Sequence, residues 1–192
     1  MMKKIQLVMV VILAAGMLSG CTNYVKEYDK NTLVVKKNGS LVEISVEDFK
    51  DSSVKAEDLT AYIGEQIEAY NNEYGKKMIK NKAIETEDMS KVKLVLSYKD
   101  MESYNGFNLL ECTLADFSGV EESELKGTFI SVDGKEVKAG DMENTEKAKV
   151  LIFPSAADVV VKGDILYHNK EVSVKDGVAV TSGEENAIII YK

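Results

Sequence analysis

The residue with the clearest chemistry in this sequence is Cys21, which follows an apolar run and two small residues. A pair of lysines precedes the run, Ile5–Leu18 forms it with 14 residues, and Ser19-Gly20 comes directly before the cysteine. This order is typical of a secretory signal. A helix that crosses a bilayer needs about 20 residues. The pattern therefore predicts that residues 1–20 are a signal peptide and that its role is to deliver Cys21.

The position of Cys21 resembles the bacterial lipobox, in which a diacylglyceryl group is joined to the thiol before cleavage makes that cysteine the new N-terminus. The thiolate is a strong nucleophile, and two acyl chains of the palmitate type bind a membrane stably where one chain does not. We therefore expect lipidation at Cys21 and a location on the extracytoplasmic face of the cell membrane. The alternative is an ordinary signal peptide that is cleaved near Ala14 or Ala15, with Cys21 incidental.

The other cysteine and the one histidine are weak candidates for a catalytic pair. Cys112 lies in an apolar run, which favours a small buried hydrophobic residue. His168 lies at a predicted hairpin turn, and a single histidine excludes a His-rich metal centre. The sequence contains no phosphate-binding loop, no CxxC pair and no nucleophile elbow. It therefore assigns no catalytic residue, no metal ligand and no cofactor.

Acidic residues are numerous, with 32 Asp and Glu against 24 basic residues, all of them lysine. Without residues 1–20 the net charge changes from −8 to −10, because two lysines and no acid are removed. An acidic chain without arginine argues against a nucleic-acid partner. Clusters at 121–124 and 141–143 offer oxygen ligands to a hard cation but lack the spacing of a calcium loop, so a solvated surface is the favoured interpretation.

The element that the sequence predicts best is a helix from Lys55 to about Tyr74. Leu59, Ile63, Ile67 and Tyr70 lie on one of its faces at helical spacing, and acidic residues lie on the opposite face. Core packing is the favoured role for the two tyrosines, Tyr70 and Tyr74, and stacking on a sugar is the alternative.

Short segments with other patterns surround this helix. Thr22–Asn31 is polar and predicts a tether, and Asn38-Gly39 and Asp133-Gly134 each predict a hairpin turn. A capping-box pattern predicts a helical turn over Ser45–Phe49. Asp100–Tyr104 predicts a further helical turn. Strands are predicted at Thr32–Lys36, Leu41–Val46, Lys91–Tyr98, Phe107–Leu114, Thr128–Val132, Glu136–Lys138, Lys149–Phe153, Asp158–Lys162, Ile165–His168, Glu171–Val174, Val178–Thr181 and Ala187–Tyr191. The last of these strands is apolar on both faces, which predicts a central place in a sheet.

These elements predict an α+β fold in which one long amphipathic helix packs on antiparallel sheet. The strand-rich C-terminal half is expected to form a meander or a small sandwich, because its short strands are separated by turn residues rather than by helices. The expected organisation is a signal peptide at 1–20, the lipidated cysteine and tether at 21–31, and a single domain at 32–192. A subdivision near residue 145 stays open.

Four short motifs carry a resemblance to a known family. They are Val46-Glu47-Asp48-Phe49, Ala69-Tyr70-Asn71 with Gly75 four residues after the asparagine, Leu96-Ser97-Tyr98, and Tyr104-Asn105-Gly106-Phe107-Asn108. Together they resemble a family of uncharacterised lipoproteins from gut clostridia and related Firmicutes. The resemblance covers the N-terminal two-thirds and extends more loosely to the final IIIYK. It implies a lipobox, a long helix and a strand-rich C-terminal part, and it brings no activity.

The combined interpretation is a cell-envelope lipoprotein that acts as a non-enzymatic binding or interaction module. The membrane is its partner through the lipid on Cys21, and the protein, glycan or small molecule that it binds is not identified by the sequence. One alternative is an envelope hydrolase with two carboxyl groups about 5 to 10 Å apart in a deep cleft. The other is a small solute-binding lipoprotein, for which the chain is short.

Overall fold

The fold mixes helices and strands, which confirms the predicted α+β class. A computed structural model describes residues 22–49, 53–86 and 89–192. The predicted signal peptide and Cys21 lie outside these residues. The described ranges contain three α-helices rather than one: α1 (Thr22–Glu27), α2 (Ala56–Tyr74) and α3 (Met101–Asn108).

None of the helices in the described ranges is long and apolar enough to span a membrane.

Two sheets contain the strands of the described residues. The strands are β1 (Thr32–Val35), β2 (Leu41–Glu47), β3 (Ile79–Glu85), β4 (Val92–Tyr98), β5 (Thr113–Asp116), β6 (Phe129–Ser131), β7 (Glu136–Val137), β8 (Lys149–Phe153), β9 (Asp158–Val161), β10 (Ile165–Asn169), β11 (Val172–Lys175), β12 (Val178–Thr181) and β13 (Ala187–Tyr191).

The two sheets interleave the N-terminal and C-terminal parts of the chain. Sheet A has the order β11-β12-β9-β1-β2-β4-β3, and sheet B has the order β5-β8-β13-β10-β6-β7. β1 and β9 are parallel, whereas the other described pairs are antiparallel. Each sheet contains strands from both sides of residue 145, so a boundary there would cut both sheets.

Strand β13 takes the central place that its double-sided apolar sequence predicts. It lies between β8 and β10, and all five of its residues are buried. Ile189 joins the core that both sheets share, and Ile188 and Ile190 pack in a second cluster on the opposite face of sheet B. The predicted position in the middle of a sheet is confirmed.

The main core lies on the inner face of sheet A, where sheet B, α2 and α3 meet it. Leu33 and Tyr98 of sheet A pack in one cluster with Leu151 of sheet B, Ile67 of α2 and Tyr104 of α3. Because both sheets contribute to one cluster, burial of apolar surface stabilises them together. This core therefore fixes β2, β4 and α3 relative to one another.

The segment predicted as a tether instead contains a helix that packs on sheet A. Val25 of α1 is buried on the outer face of the sheet beside Val34 and Ile44. Lys93 donates hydrogen bonds from Nζ to the carbonyl oxygens of Val25 and Tyr28, at 2.9 and 3.0 Å. The burial of Val25 and the two hydrogen bonds from Lys93 hold this segment on the domain, so the predicted extended tether is wrong for α1.

Two local predictions are wrong for the same reason. Residues 45–47 continue β2, and no helical turn forms at Ser45–Phe49. The predicted strand Phe107–Leu114 is largely helix and loop, because α3 continues to Asn108 and β5 begins at Thr113. Short apolar runs fit either period, and contacts distant in sequence select between them.

Candidate functional site

Glu43 is a carboxylate that a β-strand directs toward the interior. Alternate residues of a strand share one face, so Glu43 on β2 points the same way as Leu41 and the opposite way to Ile44. Leu41 belongs to the core between the sheets, and Ile44 belongs to the cluster under α1. The Glu43 side chain is therefore directed at the elements that pack on the inner face of sheet A.

Three neutral side chains donate hydrogen bonds to Glu43. Tyr98 Oη donates to Oε2 at 2.5 Å, Tyr104 Oη donates to Oε1 at 3.5 Å, and Asn108 Nδ2 donates to Oε2 at 3.4 Å. Asn108 Nδ2 also lies 3.2 Å from Tyr98 Oη, which joins two of the donors. The carboxylate is thus solvated by phenol and amide groups that carry no charge.

Helix α3 places two of these donors. Tyr104 and Asn108 are four residues apart, so they lie on the same face of the helix. The helix begins at a cap, because Asp100 Oδ1 accepts a hydrogen bond from the Ser103 amide at 2.9 Å. The cap fixes the start of α3 and therefore the direction in which its donor face points.

The chain segments that follow α3 and α2 are each held by an asparagine of the preceding helix, Asn105 and Asn71. Asn105 Nδ2 donates to the Cys112 carbonyl oxygen at 2.7 Å, and Asn105 Oδ1 accepts from the Cys112 amide at 2.9 Å. Asn71 makes the same pair of bonds to the main chain of Ile79, at 2.8 and 2.9 Å. The two Tyr-Asn motifs of the sequence thus act in turns, and each asparagine satisfies main-chain groups beyond its helix.

The electrostatic setting of Glu43 is unusual because its described neighbours supply no positive charge. The ion pairs within the described ranges join Lys149 to Asp116 and Lys170 to Glu171, away from this site. Burial raises the pKa of the Glu43 carboxyl above its ordinary value, and the hydrogen bonds from Tyr98, Asn108 and Tyr104 act in the opposite direction. Burial followed by the charge of Glu43 also raises the pKa values of the two tyrosine hydroxyls.

Cys112 lies near this carboxyl but is not activated as a nucleophile. It is buried, as predicted, and burial followed by the Glu43 charge raises the pKa of its thiol to about 12. His168 lies on β10, where Nδ1 is 2.9 Å from the Asn169 carbonyl oxygen. No hydrogen bond joins Cys112 to His168 in the part of the chain that the structure describes. A neutral thiol is a poor nucleophile, so this pair is not a catalytic site.

A cavity of about 220 Å³ with a mixed polar and apolar lining adjoins Glu43. Its lining includes Asn31, Ser45 and Ser155 together with Tyr104 and Asn108, and it contains no lysine and no histidine. This volume lies below the roughly 300–1,000 Å³ that is usual for ligand pockets. The cavity therefore has room for a small molecule beside a partly buried carboxyl group.

A second carboxyl group, that of Glu47, lines the same cavity. Glu43 and Glu47 lie four residues apart on one strand, which separates their main-chain atoms by about 13 Å at roughly 3.3 Å per residue. A retaining or inverting glycoside hydrolase needs two carboxyl groups about 5 to 10 Å apart, and the side chains of Glu43 and Glu47 project from the same face of β2. The cavity therefore holds two carboxyl groups, and the pKa of one of them, Glu43, is raised.

A larger groove lies between α2, β4 and α3, with a volume of about 500 Å³. Tyr70 and Phe107 meet edge to face at 5.7 Å in it, and Leu94 and Leu96 line it as well. A Cβ atom at Gly106 would lie 2.5 Å from Tyr70 Oη, so glycine permits the two helices to approach. Leu109, at 90% exposure, also lines this groove.

The helices that border this groove carry acidic residues and no basic residue. α2 contains five acids and α3 contains one, and Glu73 of α2 lines the groove itself. Burial raises the pKa of the Tyr70 hydroxyl, and the charges of Glu102, Asp100 and Glu73 raise it further. The groove therefore combines an aromatic and aliphatic floor with one lining carboxylate, Glu73, and two further acids, Asp100 and Glu102, that act on Tyr70.

The acidic segments singled out in the sequence do not converge on a metal site. Within residues 22–49, 53–86 and 89–192, no group of three or more His, Cys, Asp or Glu side chains is placed to hold a metal ion. Ser123 Oγ donates a hydrogen bond to Glu121 at 3.4 Å, and the Glu143 amide donates one to the Tyr167 hydroxyl at 3.0 Å. These segments make local surface contacts.

Glu43 is the site residue that the sequence alone did not identify. One signal was present, because an acidic residue stands among apolar neighbours on the core-facing side of a predicted strand. Its donors come from Tyr98 at the end of β4 and from α3, and the contacts between these elements are distant in sequence. Tyr70 fills its predicted packing role, whereas the predicted core role of Tyr74 is wrong, because Tyr74 is 58% exposed and only its tilted ring contact with Tyr70, at 4.5 Å, is present.

Comparison with known proteins adds no relative. No protein-family model matches this chain, and neither a curated protein nor a solved structure matches it.

Proposed function

We propose that this protein is a cell-envelope lipoprotein, anchored by lipid on Cys21 to the extracytoplasmic face of the cell membrane, that acts as a non-enzymatic binding module. The lipoprotein motifs quoted above support its kinship with the clostridial family that it resembles. The groove between α2, β4 and α3 is the observation that carries the binding role. It receives a segment that is apolar on one side and positively charged on the other, such as a lysine-rich amphipathic peptide or the corresponding part of a protein.

The residues of the groove support this choice of partner. Tyr70, Phe107 and Leu109 offer apolar and aromatic surface, which gains free energy when a partner covers it. Aromatic faces also attract cations. Because Glu73 lines the groove and the charges of Glu102 and Asp100 also act on Tyr70, a positively charged partner is favoured over a neutral or an acidic one.

The position of α1 supports a role in presentation. α1 starts directly after Cys21 and packs on the outer face of sheet A, where Val25 is buried. α2 and α3 pack on the inner face through Ile67 and Tyr104. A lipid on Cys21 therefore approaches the domain from the side opposite the groove, and the long helix with the two sheets forms a sandwich-like scaffold that turns the groove away from the bilayer.

The two alternative functions receive less support. A glycoside hydrolase binds a sugar in a deep cleft, whereas the cavity that holds Glu43 and Glu47 has a volume of only about 220 Å³. A solute-binding lipoprotein closes two lobes around its ligand, whereas the two sheets here share one core. The groove and its charge favour the binding module.

The charge of the groove is testable at Gln66, which lines it and is exposed. Gln66→Lys is expected to weaken binding of a short amphipathic Lys/Leu peptide about two- to fivefold at low ionic strength, and Gln66→Glu is expected to strengthen it by a similar factor. The measurement is fluorescence anisotropy of the labelled peptide with the full chain in nanodiscs of zwitterionic lipid.

The matched controls separate charge from shape. A Glu/Leu peptide with the same apolar residues is expected to bind neither variant, and added salt is expected to reduce the difference between Gln66→Lys and Gln66→Glu. Equal affinity of the two variants for the Lys/Leu peptide would remove the groove from the proposed function.

The lipid anchor is tested by Cys21→Ala, which removes the only thiol that the signal places for lipidation. The protein is expected to move almost entirely from the membrane fraction to the soluble fraction, because the acyl chains supply most of the membrane affinity. Cell fractionation followed by immunoblotting measures this. Cys112→Ala is the matched control and should stay with the membrane; retention of Cys21→Ala there would refute lipid anchoring.

A further inference from the structure

The cavity beside Glu43 differs from the groove, because polar side chains form much of its lining and it contains a largely buried carboxyl group without a cation. Charged groups in a protein interior are ordinarily paired. Here the three hydrogen-bond partners, Tyr98, Tyr104 and Asn108, are neutral. The nearest lysine along β4, Lys93, instead donates to main-chain oxygens under α1, on the opposite face of the sheet.

The cavity supplies what a primary ammonium group requires. Such a group has three N–H donors and no acceptor, so it needs several oxygen atoms around it. Glu43 offers a carboxylate, and Ser45, Ser155 and Asn31 add neutral oxygen atoms to the lining. The volume of about 220 Å³ accommodates an amine with a short aliphatic chain.

The cavity has a second carboxyl group in its lining. Glu47 lies on the same face of β2 as Glu43, lines the same cavity and is exposed. The cavity therefore has two carboxyl groups along β2, an inner one on Glu43 and an outer one on the exposed Glu47. Leu110 and Phe153, which also line the cavity, offer apolar surface to a methylene chain.

We propose that this cavity binds a short linear diamine, with one ammonium group on Glu43 and the other on Glu47. The inner ammonium replaces the cation that Glu43 lacks, and the aliphatic chain lies along Leu110 and Phe153. The raised pKa of the Glu43 carboxyl agrees with this assignment, since a carboxyl group that is buried without a cation takes up a proton more readily.

The test compares 1,5-diaminopentane, pentylamine and 1,5-pentanediol by isothermal titration calorimetry with the full chain in detergent. The diamine is expected to bind best, pentylamine a few-fold more weakly, and the diol not measurably. Glu43→Gln is expected to weaken the diamine tenfold or more, because it removes a charge-assisted hydrogen bond. Glu47→Gln is expected to weaken the diamine two- to fivefold and leave pentylamine unchanged.

Three controls make the result decisive. Glu136→Gln, an exposed acid on β7, should leave diamine affinity unchanged. Gln66→Lys should also leave it unchanged, so failure of the groove and failure of this cavity are distinguishable. Circular dichroism establishes that Glu43→Gln is folded. If the wild type binds no amine, or if Glu43→Gln binds the diamine as tightly as the wild type, the site is disproved; equal affinity for diamine and pentylamine disproves the role of Glu47.

Discussion

Tyr98→Ala is expected to lower the free energy of unfolding by about 3–5 kcal/mol, as for other large aromatic residues in a core. The Tyr98 side chain is 1% exposed and contacts Tyr104 and Phe107, with ring centroids 5.0 and 6.1 Å away. Its loss leaves a void between sheet A and α3 and removes the shortest hydrogen bond to Glu43. Urea denaturation followed by circular dichroism measures the change.

Tyr98→Phe separates packing from hydrogen bonding in this prediction. The ring is retained, so only the hydroxyl and its bond to Glu43 are lost, and a smaller cost of about 1–3 kcal/mol is expected. The hydrogen bond from Tyr98 lowers the pKa of Glu43, so its removal also raises that pKa further. If the phenylalanine and alanine variants are equally destabilised, the ring contacts contribute nothing and the prediction is wrong.

Asn105→Ala is expected to cost about 2 kcal/mol, because one substitution removes two hydrogen bonds to the main chain of Cys112. The amide and carbonyl of Cys112 lose their partner at a place where the chain leaves α3 and no strand has yet begun. The same measurement applies, and Asn71→Ala is expected to have a similar effect at Ile79.

Asn72→Ala is the matched control for this prediction. Asn72 is exposed on α2, so its replacement is expected to change stability by less than about 0.5 kcal/mol. A cost for Asn105→Ala no greater than that for Asn72→Ala would show that the asparagine bonds do not stabilise the turn. A cost confined to Asn105 would show that the two Tyr-Asn motifs are not equivalent.

Local patterns predicted the elements whose structure depends on neighbours in sequence. The apolar face of α2, the Asp133-Gly134 turn between β6 and β7, and the double-sided burial of β13 are all present. In these places the side-chain period or the turn residues suffice to select the structure.

The remaining elements depend on contacts that no short window contains. Strand β3 reads as polar, with two lysines among its seven residues, and it forms because β4 and α2 pair and pack with it. α1 exists beside the outer face of sheet A, which is assembled from distant strands. The hydrogen-bond partners of Glu43 come together only where β2, β4 and α3 meet. The position of Glu43 in the sequence therefore indicates a buried acid but does not identify these partners.

The parallel pairing of β1 with β9 has a consequence for the time course of folding. Thr32 pairs with Asp158, so the middle of sheet A stays incomplete until the last part of the chain has been made. Pairings this distant slow folding, because a long loop must close before the contact stabilises anything. In a chain that emerges N-terminus first, β1 and β2 can pair early, but the other edge of β1 stays unpaired until β9 is available.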